Sequence, residues 1–256
     1  MSFIDLAAIT GALAWIPPIF VAIRSWMTKP KIRIVTERSP EIGFTTFGPI
    51  LNLRIALTVT HKDIVITGIR LIVTHESGEQ TNFFWRTIIQ RMGTLNYPQG
   101  GTVPFEKELN VLAMKISLKD VEERTIRFHD LNYLKCKSQL DDISIKKLSY
   151  LRQAGTFDES FLKSQEMVDV YSFIKQSFAW KPGSYRLQVQ LESPDVFNVL
   201  DDHYSFTLSP LQVQNLSNNL LYIEQSFVIQ VLPAAEGQVP AAIPWQWAYP
   251  EMQKVD

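Results

Sequence analysis

Residues 51–60 read Leu-Asn-Leu-Arg-Ile-Ala-Leu-Thr-Val-Thr. Leu51, Leu53, Ile55, Leu57 and Val59 alternate with Asn52, Arg54, Ala56, Thr58 and Thr60. A period of two places the first set on one face of a strand and the second on the other, so this is a half-buried strand. Clean alternation of this kind belongs to antiparallel sheets, because buried parallel strands read as continuous apolar runs.

The same period recurs outward from this stretch, in Ile69–Thr74, Tyr185–Glu192 and Tyr204–Leu208, and Phe227, Ile229 and Val231 are expected to form a last strand. Lys31–Thr36, Gly43–Phe47, Asn82–Arg86, Phe105–Val111 and Thr125–Asn132 are shorter strand candidates. Gly48-Pro49, Lys62-Asp63, Ser77-Gly78, Gly100-Gly101 and Pro182-Gly183 supply turns. The expected fold class is mainly β, an antiparallel sandwich. Pro182-Gly183-Ser184-Tyr185 resembles the start of a late strand in immunoglobulin-like sandwiches. The resemblance implies that Tyr185 bonds back to upstream backbone and pins the corner. No Cys…Trp…Cys pattern accompanies it, which excludes an antibody-type domain.

A helical insertion is expected at about 138–179. Ser138 and Asp141 offer a cap pair, Leu140, Ile143, Leu148 and Leu151 follow at near-helical spacing, and Gly155 closes the helix. Val168–Phe178 fits either helix or strand, and Ser209-Pro210 opens a helix over Leu211–Gln225. Residues 233–256 form a third region, with Pro233, Pro240, Pro244 and Pro250 around Trp245, Trp247 and Tyr249. These aromatics either fold back onto the sandwich or dock another protein.

The first thirty residues differ from the rest. Leu6–Ile23 contains no charge, and as a helix it would run about 27 Å at about 1.5 Å per residue, close to a bilayer's hydrocarbon core. A transmembrane helix is expected over residues 4–27, in preference to a signal peptide or a buried core helix. Pro17 and Pro18 kink it near Trp15, and Ala7/Gly11 and Ala8/Ala12 permit close helix approach. Arg24, Lys29, Lys31, Arg33 and Arg38 follow the span and no basic residue precedes it, which sets the N-terminus outside and residues 28–232 in the cytoplasm. Residues 1–40 hold five basic and two acidic groups in a chain of net charge −1, so the positive charge lies where anionic headgroups would attract it.

That balance, with no basic strand carrying interleaved aromatics, argues against nucleic acid. One cysteine, Cys136, excludes a disulfide framework. No phosphate-binding glycine loop, zinc helix or nucleophile elbow occurs, so neither cofactor nor metal is expected. His61 and His75 would stand about 35 Å apart, at about 3.3 Å per residue, in a hairpin turning at Lys62-Asp63. Asp201-Asp202-His203 is the best remaining cluster and the basis of a hydrolase alternative. The favoured expectation is a non-enzymatic, single-pass membrane-anchored interaction or adaptor module with membrane lipid and a protein or homo-oligomer as partners. The alternative is a self-assembling membrane effector or sensor, similar in arrangement to bacterial immunity proteins, whose soluble domain gates assembly of the helix. The sequence identifies no small-molecule ligand.

Overall fold

The computed structural model describes residues 18–20, 28–96, 102–232 and 243–255. Strand accounts for 43% and helix for 31%, so the fold is mainly β. The strands are β1 (Lys31–Thr36), β2 (Glu41–Thr45), β3 (Gly48–Thr60), β4 (Ile64–Ile66), β5 (Gly68–His75), β6 (Gln80–Asn96), β7 (Thr102–Leu109), β8 (Met114–Ile116), β9 (Val121–Asp130), β10 (Gly183–Glu192), β11 (Asn198–Leu200), β12 (His203–Leu208), β13 (Trp247–Ala248) and β14 (Met252–Lys254).

One continuous sheet follows the path β11-β1-β3-β9-β6-β5-β10-β12-β14, with β2 on β3, β13 on β2 and β7 on β6. All these pairings are antiparallel except β1 with β11. The sheet is curled, which brings strands near its two ends together. Only Asp201 and Asp202 separate β11 at one end from β12 near the other, and Tyr204 of β12 donates its hydroxyl to the Ile34 carbonyl of β1 at 3.1 Å. The alternating residues read from sequence fill the inside: Ile32, Ile34, Leu51, Leu53, Leu57, Leu71, Phe128 and Leu187 are all buried. β4 and β8 form a separate two-stranded sheet, which buries Ile64, Ile66 and Ile116 and turns Val65 outward.

The mainly β class agrees with the expectation and the β-rich fold is consistent with a sandwich, while the strands follow one curled path that does not establish an immunoglobulin-like topology. Nor do the strands flanking Lys62-Asp63 form a hairpin. β3 pairs with β1, β2 and β9, and β5 with β6 and β10, because β4 turns the chain aside between them. The Tyr185 corner contact is present. Its hydroxyl donates to the Lys181 carbonyl at 2.9 Å and accepts the Lys181 N–H at 2.8 Å. Tyr185→Phe is expected to cost about 1–2 kcal/mol in urea unfolding, the loss of one buried hydroxyl that serves two backbone groups.

The helices are α1 (Leu131–Gln153), α2 (Gln165–Gln176), α3 (Pro210–Asn218) and α4 (Ile223–Val231). α1 starts seven residues before the expected Ser138, because the Asp130 carboxylate accepts the N–H groups of Asn132 and Tyr133 at 2.8 and 3.2 Å. Ser138 lies inside the helix and donates to the Lys135 carbonyl, while Asp141 is ion-paired with Lys137 one turn back at 2.5 Å. Gly155, at φ +68°, follows the helix end in the left-handed conformation that glycine adopts without strain. α2 buries Met167, Val170, Tyr171 and Ile174, a helical stripe that settles the ambiguous segment. Ser209 and Gln212 form a reciprocal capping box at α3, with Pro210 at its start. Phe227, Ile229 and Val231 lie in α4, so the expected last strand is a helix.

The sheet has two distinct ends. β1 leaves, β3 arrives and β9 leaves from the same end, since Lys31 pairs with Thr60 and Val121 with Thr58. At the opposite end β9 passes into α1 at Asp130, and the β5–β6 turn at Ser77-Gly78 lies there too. The expected membrane span, Leu6, Ala7, Ala8, Gly11, Ala12, Trp15, Pro17 and Ile23, together with Arg24, falls outside the described residues. Pro18 lies in the short helical piece 18–20. Among the described residues no helix is long and apolar enough to cross a membrane.

Candidate functional site

Two concave features stand out. The larger, about 900 Å³, is an open groove beside β3, β9, β6 and the β7–β8 connection. Its walls carry five carboxylates (Glu37, Glu41, Glu106, Glu122 and Glu123) against three cations (Arg54, Lys115 and Arg124). Its floor is built from outward-facing strand positions. Asn52 donates to Glu41 at 3.0 Å and accepts from Arg127 Nε at 3.0 Å, and Arg127 pairs with Glu108. Arg54 pairs with Glu123, and Arg124 with Glu122 at 2.6 Å. Burial raises the Glu37 carboxyl above its ordinary range, although the Arg54 N–H it accepts and the Arg54 charge oppose the shift. β7 borders this region as an edge strand, paired in the described residues with β6 alone.

The second feature is a cavity of about 260 Å³ at the Asp130 end, between the sheet and the helices. Aromatic rings dominate it. Tyr133 stacks on Phe173 with centroids 5.2 Å apart, Phe83 on Trp180 at 5.9 Å, and Trp180 meets Tyr185 edge-on at 5.8 Å. Trp180 Nε1 is anchored on the Gly43 carbonyl at 3.2 Å. His75, Glu79, Asp130 and Cys136 supply the polar part of the lining. Lys181 holds the Glu79 carboxyl below its usual range, with a hydrogen bond at 2.5 Å and by its charge. Burial drives the Tyr133 hydroxyl well above the ordinary phenol range, so it stays protonated and donates to the Thr46 carbonyl.

His129 lies on the outer side of β9, buried, with the Phe47 ring edge-on at 6.3 Å. Burial, followed by the Arg127 charge, holds its imidazole down to about 4. The unfolded chain takes up this proton near 6.5, the folded chain only near 4. Between those values the unfolded state binds more protons, so stability falls as pH drops through the window, by about 3 kcal/mol in full. His129→Asn is expected to flatten the urea midpoint between pH 6.5 and 4.5, and an equally steep fall in the variant would assign the effect to other groups.

The residues singled out from sequence are dispersed. Trp247 pairs with Gly43, and Trp245 meets Tyr222 edge-on at 6.3 Å. Both are half-buried, so the described part of the tail belongs to the sheet, while Tyr249 remains 55% exposed. Of the basic set, exposed Lys29 and Lys31 lie at the Lys31 end. Arg33 sits 3.6 Å from Asp201, and the Arg38 carbonyl accepts the Met252 N–H. Asp201 and Asp202 form the turn before β12, and His203 is the first residue of that strand. Asp201 is bound to Lys254 at 2.7 Å, and His203 Nδ1 lies 2.8 Å from Asp202. His61 is exposed in its turn and His75 contacts Ser77 at 2.8 Å at the opposite end. Among the described residues no group of three or more potential metal ligands converges. Sequence spacing missed the groove glutamates and the cavity aromatics, which come from separate strands and helices. Comparison with protein-family models, curated proteins and solved structures finds no match.

Proposed function

We propose that this chain is a single-pass membrane-anchored interaction module, with residues 4–27 as the anchor and the β-rich body displayed on the cytoplasmic side. The glutamate-lined groove beside the open edge of β7 carries this reading. An edge strand offers backbone donors and acceptors to an extended segment, and Glu37 and Glu41 on the groove wall favour a basic one. In the Tyr185 corner the body shares a device with immunoglobulin-like sandwiches. Tyr249 is the exposed member of the aromatic tail and a second contact for a partner.

Extraction in mild detergent, followed by measurement of particle mass and composition, tests the proposal. A second polypeptide in fixed ratio is expected, and Glu122→Lys with Glu123→Lys should release it at least about tenfold more readily through like-charge repulsion. A particle that is an integer multiple of this chain alone would overturn the adaptor reading. It would favour the alternative of a self-assembling sensor, which the aromatic cavity at the far end of the body supports as a ligand site. In that case, membrane depolarisation abolished by deleting residues 1–28 is expected.

A further inference from the structure

The Lys31 end of the body gathers several exposed aliphatic side chains on separate turns. Val196 is 68% exposed, Val121 56%, Leu118 41% and Val65 37%. Backbone pairing fixes their shared position. Asn198 pairs with Lys31 in parallel, which puts Val196 beyond it, and the Asn198 N–H reaches the Pro30 carbonyl at 2.9 Å. Val121 pairs with Thr58, two residues from the end of β3. The Leu118 N–H donates to Asp63 at 2.7 Å, in the turn that follows β3, and Val65 comes next in β4. Singly exposed aliphatics are ordinary on a protein surface. These share the one end from which the chain runs back toward residues 6–23.

The cations at this end are lysines and Arg33, which faces Asp201 at 3.6 Å. Lys62 is held by Asp195 at 3.5 Å and Lys115 by Asp63 at 2.9 Å. Lys29, Lys31 and Lys119 are exposed and in no ion pair among the described residues, against exposed Asp120 and Glu192, while Glu122 and Glu123 beside Val121 are ion-paired with Arg124 and Arg54. Lysine stems lie along apolar surface while the ammonium stays with water and phosphate, as at a bilayer interface. From Arg24 to Lys31 the chain advances seven positions, an extended reach of about 24 Å.

We infer that this end of the body is a lipid-facing surface: Leu118, Val121, Val196 and Val65 enter the headgroup region of the bilayer, and Lys29, Lys31 and Lys119 sit at phosphate level. The inference rests on the anchored reading above and adds an orientation to it. The body stands on the membrane by its Lys31 end, with the aromatic cavity and the helices directed away.

Single-cysteine variants of the full chain test it. Val121→Cys and, at the opposite end, Ser77→Cys are made in a Cys136→Ser background. Each is labelled with a polarity-sensitive fluorophore and reconstituted in nanodiscs of phosphatidylcholine and phosphatidylglycerol. The label at position 121 is expected to emit further to the blue and to be shielded several-fold from a water-soluble quencher, while the label at 77 stays open. Adding Leu118→Glu and Val196→Glu should remove the shielding without releasing the protein from the disc. Equal quenching at both positions, with the protein still resistant to alkaline carbonate washing, would overturn the lipid-facing surface and leave the anchor standing. Release by carbonate would overturn the anchor. The surface would then stand only if vesicles of the same lipids still shield position 121, and would fall if they do not.

Discussion

Asn219→Ala is expected to destabilise the body by about 2–4 kcal/mol and to free the C-terminal tail. The side chain is fully buried and acts as a three-way clamp. Its amide nitrogen donates to the Phe44 carbonyl at 2.9 Å and to the Gln246 carbonyl at 2.8 Å, and its oxygen accepts the Gln246 N–H at 2.7 Å. Alanine leaves these three backbone groups without that partner, and an orphaned buried backbone group costs more than the bond itself contributed. Urea unfolding measures the loss, and limited proteolysis locates it. Cleavage at residues 243–255 should precede cleavage of the sheet. An unchanged midpoint with a protected tail would show that Trp247 packing on Gly43 holds the tail without the amide.

Phe44→Ala should cost about 3–5 kcal/mol, the range for deleting a buried aromatic side chain from a packed core. Phe44 is fully buried, and its ring meets Tyr133 of α1 edge-on at 6.5 Å and Phe178 at 5.2 Å. It joins the sheet to the helical layer, so its loss removes contacts on both. Phe44→Leu keeps most of the apolar volume and is expected to cost about 1–1.5 kcal/mol. The ratio of the two losses, read from denaturant midpoints, separates packing from backbone disturbance at β2. If both variants lose the same amount, the ring contacts do not matter and the strand itself is at fault.

Much of the strand content was legible because period-two alternation is a direct consequence of one face being buried. Leu51–Val59 and Tyr185–Leu191 both follow it and both are strands. The same signal misled at Phe227, Ile229 and Val231, where five residues are too few to distinguish a strand face from an all-round apolar helix. The start of α1 was hidden because a strand and a helix share Asp130 with no loop between them. Pairing partners were not legible at all. Lys62-Asp63 looks like a hairpin turn, and nothing local in the sequence reveals that the next three residues belong to a different sheet. The groove and the cavity fail for the same reason: Glu37 and Glu123, or Phe83 and Trp180, become neighbours only through the tertiary fold.

The curl of the sheet bears on how the chain is made. β1 (Lys31–Thr36) finds one of its two partners in β11, about 170 residues later, and β12 is covered by β14, residues Met252–Lys254. Contacts this distant in sequence are slow to form, and the β12–β14 pairing cannot form before residues 252–254 have been made. Until then the emerging polypeptide exposes unsatisfied strand borders, which invite pairing with other chains. A product truncated before Met252 keeps such a border permanently. Loss of residues 252–254 is therefore expected to show as aggregation and degradation during biosynthesis, out of proportion to the small number of bonds those residues make in the folded body.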